Sequence, residues 1–484
     1  MLQTLDPVLA VPAAVVILLL PGLGFLSLLR PADRSRLALD ERLFLIGAIS
    51  VAVSSWVALL LAELGRFGTV RAAGLEAVAL VLVAVLARLR GRRITHPLGG
   101  VRPAEPVWPA LILVVIAFLL QARPSEYIVG GRDPGAYVSA MGVIARTGAI
   151  THLDPVVASI PKDDLSLFYA NLDHPPFRFT LGGLNDEAQP SWPRFMGFEL
   201  DHPSSGRVTP QFFHLFPAFG AYLFETMGVR GALATPPILG VLGTLAAFLL
   251  GRRLFGREVA WLGAAFLATS VLQVWFARYP VSEGFSQFLI LTGLLAHRID
   301  QEVEGRGFAW LSGAMLGLSL LVRIDSVLLL LPLGIWVAFE LMSRSGEHWY
   351  PRLRGVLIPF ACLFAHAALH AVLFSTRYAH QILTRRYWNH GFAFWFVASA
   401  IGIAALVAFW KLGPHLARSL AAHDQRLRTV FIVLLLALVA YALAVRPSLS
   451  ALAGGDGNAK AEALADPGLL RTLGFSRLAA HDAQ

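Results

Sequence analysis

The sequence predicts an all-α polytopic membrane protein with one large extracytoplasmic loop, on three observations. Of its 484 residues, 56% are hydrophobic and only 15% are charged. Apolar segments long enough to cross a bilayer recur along the chain, and basic residues concentrate in alternate short loops. A soluble protein of this length needs more charge to cover its surface, so the composition already places the chain in a membrane.

About twelve segments are predicted to span the bilayer as helices, with an error of one or two. A helix needs about 20 apolar residues to cross the hydrocarbon core, because its backbone polar groups must be satisfied internally. The first apolar stretch lacks a basic leader and a cleavage site, so we expect it to be retained as a helix. The predicted spans are 8–29, 43–63, 72–89, 106–121, 231–250, 259–276, 285–298, 308–322, 326–342, 355–375, 391–410 and 429–445.

The distribution of Lys and Arg predicts which loops face the cytoplasm. Six short loops together contain 21 basic residues, whereas the alternate short loops contain 7. Basic loops stay in the cytoplasm, so the N-terminus, the loop 122–230 and the tail after 446 are predicted to be extracytoplasmic. The same distribution explains the net charge of +9 without a nucleic-acid partner. We therefore expect a multi-pass protein of the cytoplasmic (inner) membrane.

The loop 122–230 contains enough aromatic residues to bury a small core against the helices. Its stretch 134–148 has Pro134 at a helix start, apolar residues at helical spacing and Gly148 as a stop, so we predict an amphipathic helix on the outer membrane surface. The stretch 211–227 is predicted to be a second such helix or a re-entrant segment.

The motif YIVGGRDPGAYV at 127–138 is the sharpest candidate for chemistry. Gly130 and Gly131 permit a tight turn, and the charges of Arg132 and Asp133 stand side by side before a helix. Asp133 is either a helix N-cap or a catalytic carboxylate, and the local sequence leaves both open.

Further candidates lie at predicted outer helix ends. Glu283, in RYPVSEG (278–284), either caps the next span or serves the site. Outer arginines either bind phosphate or reach towards lipid headgroups; they are Arg278, Arg323, Arg377, Arg385 and Arg386. His366 and His370 have a metal-ligand spacing, but we interpret them as polar core residues. The single cysteine, Cys362, excludes a disulfide within the chain.

Three stretches resemble the GT-C class of integral-membrane glycosyltransferases, which includes protein O-mannosyltransferases and aminoarabinose transferases. Arg132, Asp133, Pro134 and Tyr137 match an RD-P-x-x-Y-like run of bacterial members. VTPQFFHLFPAFGAYLF (208–224) is similar to the return into the membrane after that loop, and GLSLLVRIDSVLLLLP (317–332) to a later helix pair. Here four spans precede the loop, so 1–105 looks like an N-terminal addition to a GT-C-like core at 106–446, which a polar tail at 447–484 follows.

The resemblance implies an enzyme that transfers a hexosyl or pentosyl group from a polyprenyl-phosphate donor, reached through membrane lipid, to an unknown glycan, lipid or protein acceptor outside. It implies that Asp133 is the general base, that Glu283 is a second acidic residue, and that the substrates contact Arg132, Tyr137, Arg278, Arg323, Arg385 and Arg386. The sequence does not decide whether a metal, such as a divalent cation, is a cofactor. A transporter or flippase, or a lipid-donor polymerase or ligase of cell-envelope glycans, stays as an alternative.

Overall fold

The computed structural model describes residues 7–91, 94–99, 106–130, 133–169, 192–195, 197–343 and 349–383, with single positions at 429, 430, 433 and 437. The chain divides into two compact units, the first comprising Met1–Val337 and Ser345–Ala398 and the second Ala338–Arg344 and Ser399–Gln484. Almost everything described belongs to the first unit. The predicted span 391–410, most of 429–445, the tail and three candidate arginines (Arg132, Arg385 and Arg386) lie outside the described residues.

Helices dominate the described chain, and their ends fall within a few residues of the predicted apolar segments. They are α1 (Pro7–Leu28), α2 (Pro31–Ser35), α3 (Leu39–Glu63), α4 (Thr69–Leu89), α5 (Trp108–Gln121), α6 (Asp133–Thr147), α7 (Pro155–Ala158), α8 (Leu165–Phe168), α9 (Leu215–Met227), α10 (Val229–Phe255), α11 (Arg257–Thr269), α12 (Val271–Arg278), α13 (Glu283–Asp300), α14 (Gly307–Ser319), α15 (Leu330–Ser343), α16 (Trp349–Phe374) and α17 (Thr376–Leu383). Short 3₁₀ turns occupy Lys162–Asp164, Pro203–Ser205 and Ile324–Leu329.

Four of these helices are long and apolar enough to cross a bilayer: α3, α4, α10 and residues Tyr350–Phe374 of α16. The pair α11 and α12, bent by 58°, makes a fifth if it is one broken span. The other apolar helices are shorter; at 1.5 Å per residue, a 13-residue helix is about 20 Å long, less than the hydrocarbon core of about 30 Å. The described residues thus support four or five spans, and the count of about twelve stays a prediction.

The N-terminal helices pack into the first unit through apolar contacts and buried ion pairs. Arg252 of α10 donates two hydrogen bonds to Asp40, at 2.6 and 2.9 Å, and Arg253 donates two to Glu41, at 2.7 and 2.6 Å. All four side chains are largely withdrawn from solvent. Two-pronged arginine–carboxylate pairs fix orientation as well as distance, so α3 is held in register with α10.

The loop contains a small antiparallel sheet, which corrects the all-α prediction. Its strands are β1 (His152–Leu153), β2 (Pro193–Phe195), β3 (Phe198–Leu200) and β4 (Arg207–Pro210), in the order β1-β4-β3-β2. Phe198, Leu200 and Val208 are buried on one face, while Glu199 and Thr209 pair on the other. Alternating burial is the signature of a strand, but two to four residues are too few to identify one from the sequence.

Helix α6 confirms the predicted helix at 134–148, and its apolar residues pack on protein from two sides. Gly148 ends it with φ of 74°, as its role as a stop requires. Towards the membrane helices, Met141 lies against Gly220 of α9. Towards the sheet, Ala140 joins the cluster around Trp192. Helix α9 likewise confirms that 211–227 contains a helix, and nearly all of its first ten residues are buried.

Candidate active site

Helix α6 places Asp133 and Tyr137 on one face, because residues four apart are neighbours along a helix. Asp133 is exposed in the first turn, whereas the Tyr137 ring is buried. The Tyr137 hydroxyl lies 3.0 Å from the Ser282 hydroxyl, which immediately precedes α13. One hydrogen bond therefore ties the RDPGAY segment to the start of the helix that carries Glu283.

Arg323 joins Glu283 to a third acidic residue. Its Nη1 lies 2.5 Å from Glu283 Oε1, and its Nε and Nη2 donate to the two oxygens of Asp325, both at 2.9 Å. Burial alone would lower the pKa of Arg323, but its hydrogen bonds to Asp325 and the charges of Glu283 and Asp325 raise it above its ordinary value. The guanidinium therefore stays charged at any working pH.

A strained turn supports the buried ring of Tyr137. Phe212 has φ of 79°, a conformation that costs energy for a residue with a side chain. Its ring stacks on Tyr137 at 4.9 Å and meets the edge of Tyr378 at 5.1 Å. The Ser375 hydroxyl donates to the Phe212 carbonyl at 2.6 Å and holds the turn in place.

The pKa of the Tyr378 phenol indicates which charged groups lie near it. Burial raises the pKa of its phenol; the positive charge of Arg323 lowers it, and the negative charges of Asp325, Asp133 and Glu283 raise it further. Charged groups from three separate elements thus lie near enough to Tyr378 to affect the pKa of its phenol. We call Asp133, Glu283, Arg323 and Asp325 the acid–arginine cluster.

A cleft of about 290 Å³ opens between the sheet and the junction of α16 with α17. Its polar lining includes Glu199, Asp201, Thr209, Gln211, Arg377 and Tyr378. Arg377 donates to Glu199 at 2.9 Å and lies over the Trp192 ring at 5.6 Å. Tyr378 lines the cleft and meets the edge of Phe212, the ring that stacks on Tyr137, so the cleft adjoins the aromatic support of the candidate site.

The remaining predicted residues divide into two groups. Arg278 Nε donates to the Leu120 carbonyl at 2.7 Å, and its own carbonyl accepts from Ser125, so Arg278 secures the end of α5. Arg132, Arg385 and Arg386 lie outside the described residues.

The histidine pair His366 and His370 is more than a pair of polar core residues, because both hydrogen-bond to Glu63 on α3. Within the described ranges, no three or more His, Cys, Asp and Glu side chains are arranged to hold a metal ion. Glu63 and His214, the two hydrogen-bond partners of His370, were not predicted as its partners from the sequence. Ser282, Phe212 and Tyr378 were missed as well, since their roles arise from contacts between distant segments.

Residues 208–370 match the family model described as dolichyl-phosphate-mannose-protein mannosyltransferase. No curated protein and no solved structure is recognisably similar to the chain. The matched third contains Glu283, Arg323 and Asp325, whereas Asp133 precedes it. Over this segment the chain is similar to membrane glycosyltransferases of the GT-C type, which confirms the resemblance found in the sequence.

Proposed function

We propose that this protein transfers a sugar from a polyprenyl-phosphate donor to an acceptor hydroxyl on the extracytoplasmic side of the membrane. The family match supports the donor class, because its members are described by a lipid-phosphate-linked sugar. The excess of basic residues in the alternate loops supports the side. A lipid-anchored donor reaches such a site by diffusion within the bilayer.

The observation that carries the proposal is the acid–arginine cluster. Asp133 stands one helical turn from Tyr137, whose hydroxyl contacts that of Ser282. Glu283, the residue after Ser282, is paired with Arg323. This arrangement brings a solvent-exposed carboxylate and a permanently charged guanidinium to one end of the helices. Transfer of a sugar from a phosphate needs both of these chemical groups.

In the proposed reaction, Asp133 accepts the proton of the acceptor hydroxyl while that oxygen attacks the anomeric carbon. The bond from this carbon to the phosphate oxygen breaks, and the polyprenyl phosphate leaves with the electron pair. A guanidinium near the departing phosphate stabilises its growing charge. Arg323 supplies this charge if the phosphate displaces one of its two carboxylate partners.

The cleft beside Tyr378 is the proposed entry for the acceptor. Its carboxylate, amide and hydroxyl groups match a ligand rich in hydroxyl donors, and the rings of Phe374 and Tyr378 offer apolar surface. Both Glu199 and Asp201 already have protein partners, namely Arg377 and Thr209. The cleft therefore suits a neutral polar acceptor better than a cationic one.

The substitution Asp133→Asn tests the general base. Asn caps a helix about as well as Asp does, so folding should survive, while loss of the base should lower sugar transfer by about 10²- to 10⁴-fold. The measurement is transfer of labelled sugar from a polyprenyl-phosphate donor in reconstituted vesicles, normalised to folded protein.

Asp163→Asn is the matched control, because Asp163 is an exposed loop carboxylate in a 3₁₀ turn away from the cluster. It should transfer sugar at the wild-type rate. Wild-type transfer by Asp133→Asn would make Asp133 a capping residue and leave Glu283 as the candidate base.

A further inference from the structure

A continuous chain of hydrogen bonds runs from α3 through α16 to the start of α9. His366 Nε2 and His370 Nδ1 both meet the Glu63 carboxylate, the latter at 2.6 Å. His370 Nε2 lies 2.9 Å from His214 Nδ1, and His214 Nε2 lies 3.2 Å from the Pro210 carbonyl oxygen. His214 and His370 are 0% and 1% exposed, so water does not complete their bonds.

The chemistry of the donors fixes the number of protons in this chain. A carbonyl only accepts, so His214 Nε2 must donate to Pro210. An ionised carboxylate also only accepts, so with His214 and His370 both neutral, one contact in the chain would join two acceptors. Completing every bond requires one additional proton shared by Glu63, His370 and His214, wherever it resides.

The side branch of the chain needs no extra proton. Trp56 Nε1 donates to His366 Nδ1 at 3.1 Å, so a neutral His366 donates from Nε2 to Glu63. His366 is also the other titratable group that faces Glu63 and His370 in the described part of the chain. The shared proton thus belongs to the branch that ends at Pro210.

That branch ends on the strained turn of the candidate active site. Residues 212–214 are Phe-Phe-His: the Phe212 ring stacks on Tyr137, the Phe213 ring stacks on His370 at 5.8 Å, and His214 closes the chain. A shift of His214 must therefore move the ring on which Tyr137 rests.

We propose that Glu63, His370 and His214 form a clamp whose shared proton completes the hydrogen bonds that fix turn 210–214, and that the clamp positions Tyr137 for the sugar transfer proposed above. The three are positioning residues, since they act on the site through Phe212. Loss of the shared proton as the pH rises leaves two acceptors facing each other, which loosens the turn. This inference rests on the proposed function only for its effect on transfer.

The decisive variant is Glu63→Gln. Its amide N–H₂ donates to a neutral His370 and its carbonyl accepts from His366, so every bond is complete without a proton to lose. We expect the wild-type transfer rate and melting temperature to fall as the pH rises through the loss of the shared proton, and both falls to be absent in Glu63→Gln. His214→Ala should lower transfer about tenfold to 10²-fold at every pH, as small misplacements of a site do.

Glu225→Gln is the matched control, since Glu225 is a glutamate that accepts from Thr69 N–H and hydroxyl outside the clamp. It should follow the wild-type pH profile in both measurements. If Glu63→Gln also follows the wild type in melting, there is no shared proton and the clamp is refuted. If it differs in melting but not in transfer, the positioning role is refuted. A wild type that transfers no sugar would overturn the proposed function instead, and the melting comparison would still test the clamp.

Discussion

Arg323 shows how one side chain organises the candidate site. Three of its nitrogens contact Glu283 and Asp325, so the arginine fixes the two carboxylates before any substrate arrives. Lysine has no planar fork and cannot make the paired contacts with Asp325 while reaching Glu283. A donor phosphate must compete with these two carboxylates for the guanidinium. The negative charge of the phosphate allows it to do so.

The hydrogen bond between Tyr137 and Ser282 gives a residue-scale prediction. Tyr137→Phe keeps the ring stack on Phe212 but leaves the buried Ser282 hydroxyl without its partner, so the free energy of unfolding should fall by about 1 kcal/mol. Burial raises the pKa of the Tyr137 phenol, so the difference should stay constant from neutral to mildly alkaline pH. Denaturant unfolding of the detergent-solubilised protein measures it.

Ser282→Ala is the partner variant, and the double variant completes the cycle. Since both single changes remove the same bond, the double loss should be clearly smaller than the sum of the two. Additive losses would mean that the two hydroxyls do not interact.

At the scale of elements, the sequence predicted helices well and the sheet not at all. Helices α6 and α9 were found because their apolar spacing and stops are local signals. The strands β1–β4 were missed because each has two to four residues and gains its burial from the others. Glu283 and Arg323 were found as charged residues at predicted helix ends, and Asp133 and Tyr137 through the 127–138 motif and its resemblance to the GT-C class. Their grouping, and the histidine clamp, depend on tertiary packing that one sequence does not display.

Of the two described glycines in the 127–138 motif, packing requires Gly135 but not Gly130. Gly130 has ordinary φ, and a Cβ added there meets nothing within 4 Å, so a tight turn does not need glycine at that position. A Cβ at Gly135 would lie only 2.3 Å from the Val129 carbonyl oxygen and 2.5 Å from that of Gly130. The close approach of α6 to the preceding segment therefore requires Gly135.

The element-scale prediction follows from this contrast. Gly135→Ala should lower the free energy of unfolding by about 1–3 kcal/mol, the typical cost of overpacking, and should displace Asp133 at the helix start. Gly130→Ala is its control, with little change expected. Thermal unfolding of both variants in one detergent decides the matter, and equal stability of the two would refute the close packing of α6.

At the scale of the whole chain, the contacts of the described helices and the distribution of Lys and Arg are two separate observations. The first shows which groups share an end of the helices, and the second predicts which end faces the cytoplasm. Acidic and basic side chains that pair with each other, such as Asp40 and Arg252, lie at the end of α3 opposite Glu63. Glu63 connects to turn 210–214 through His370 and His214, and Tyr137, one helical turn from Asp133, stacks on Phe212 of that turn, so both lie at the loop end of the helices. In the described helices, the Asp40–Arg252 pair and the candidate site therefore lie at opposite ends of α3.

Cysteine labelling tests which end faces the cytoplasm. In a Cys362→Ser background, which removes the single native thiol, Asp164→Cys reports on the large loop and Glu304→Cys on a basic loop; both native side chains are exposed. Because basic loops are retained in the cytoplasm, a membrane-impermeant maleimide should label position 164 in intact cells and position 304 only after permeabilisation. Labelling at both positions after permeabilisation serves as the control for thiol reactivity. The reverse pattern in intact cells would place the acid–arginine cluster on the cytoplasmic face, where the proposed extracytoplasmic transfer could not occur.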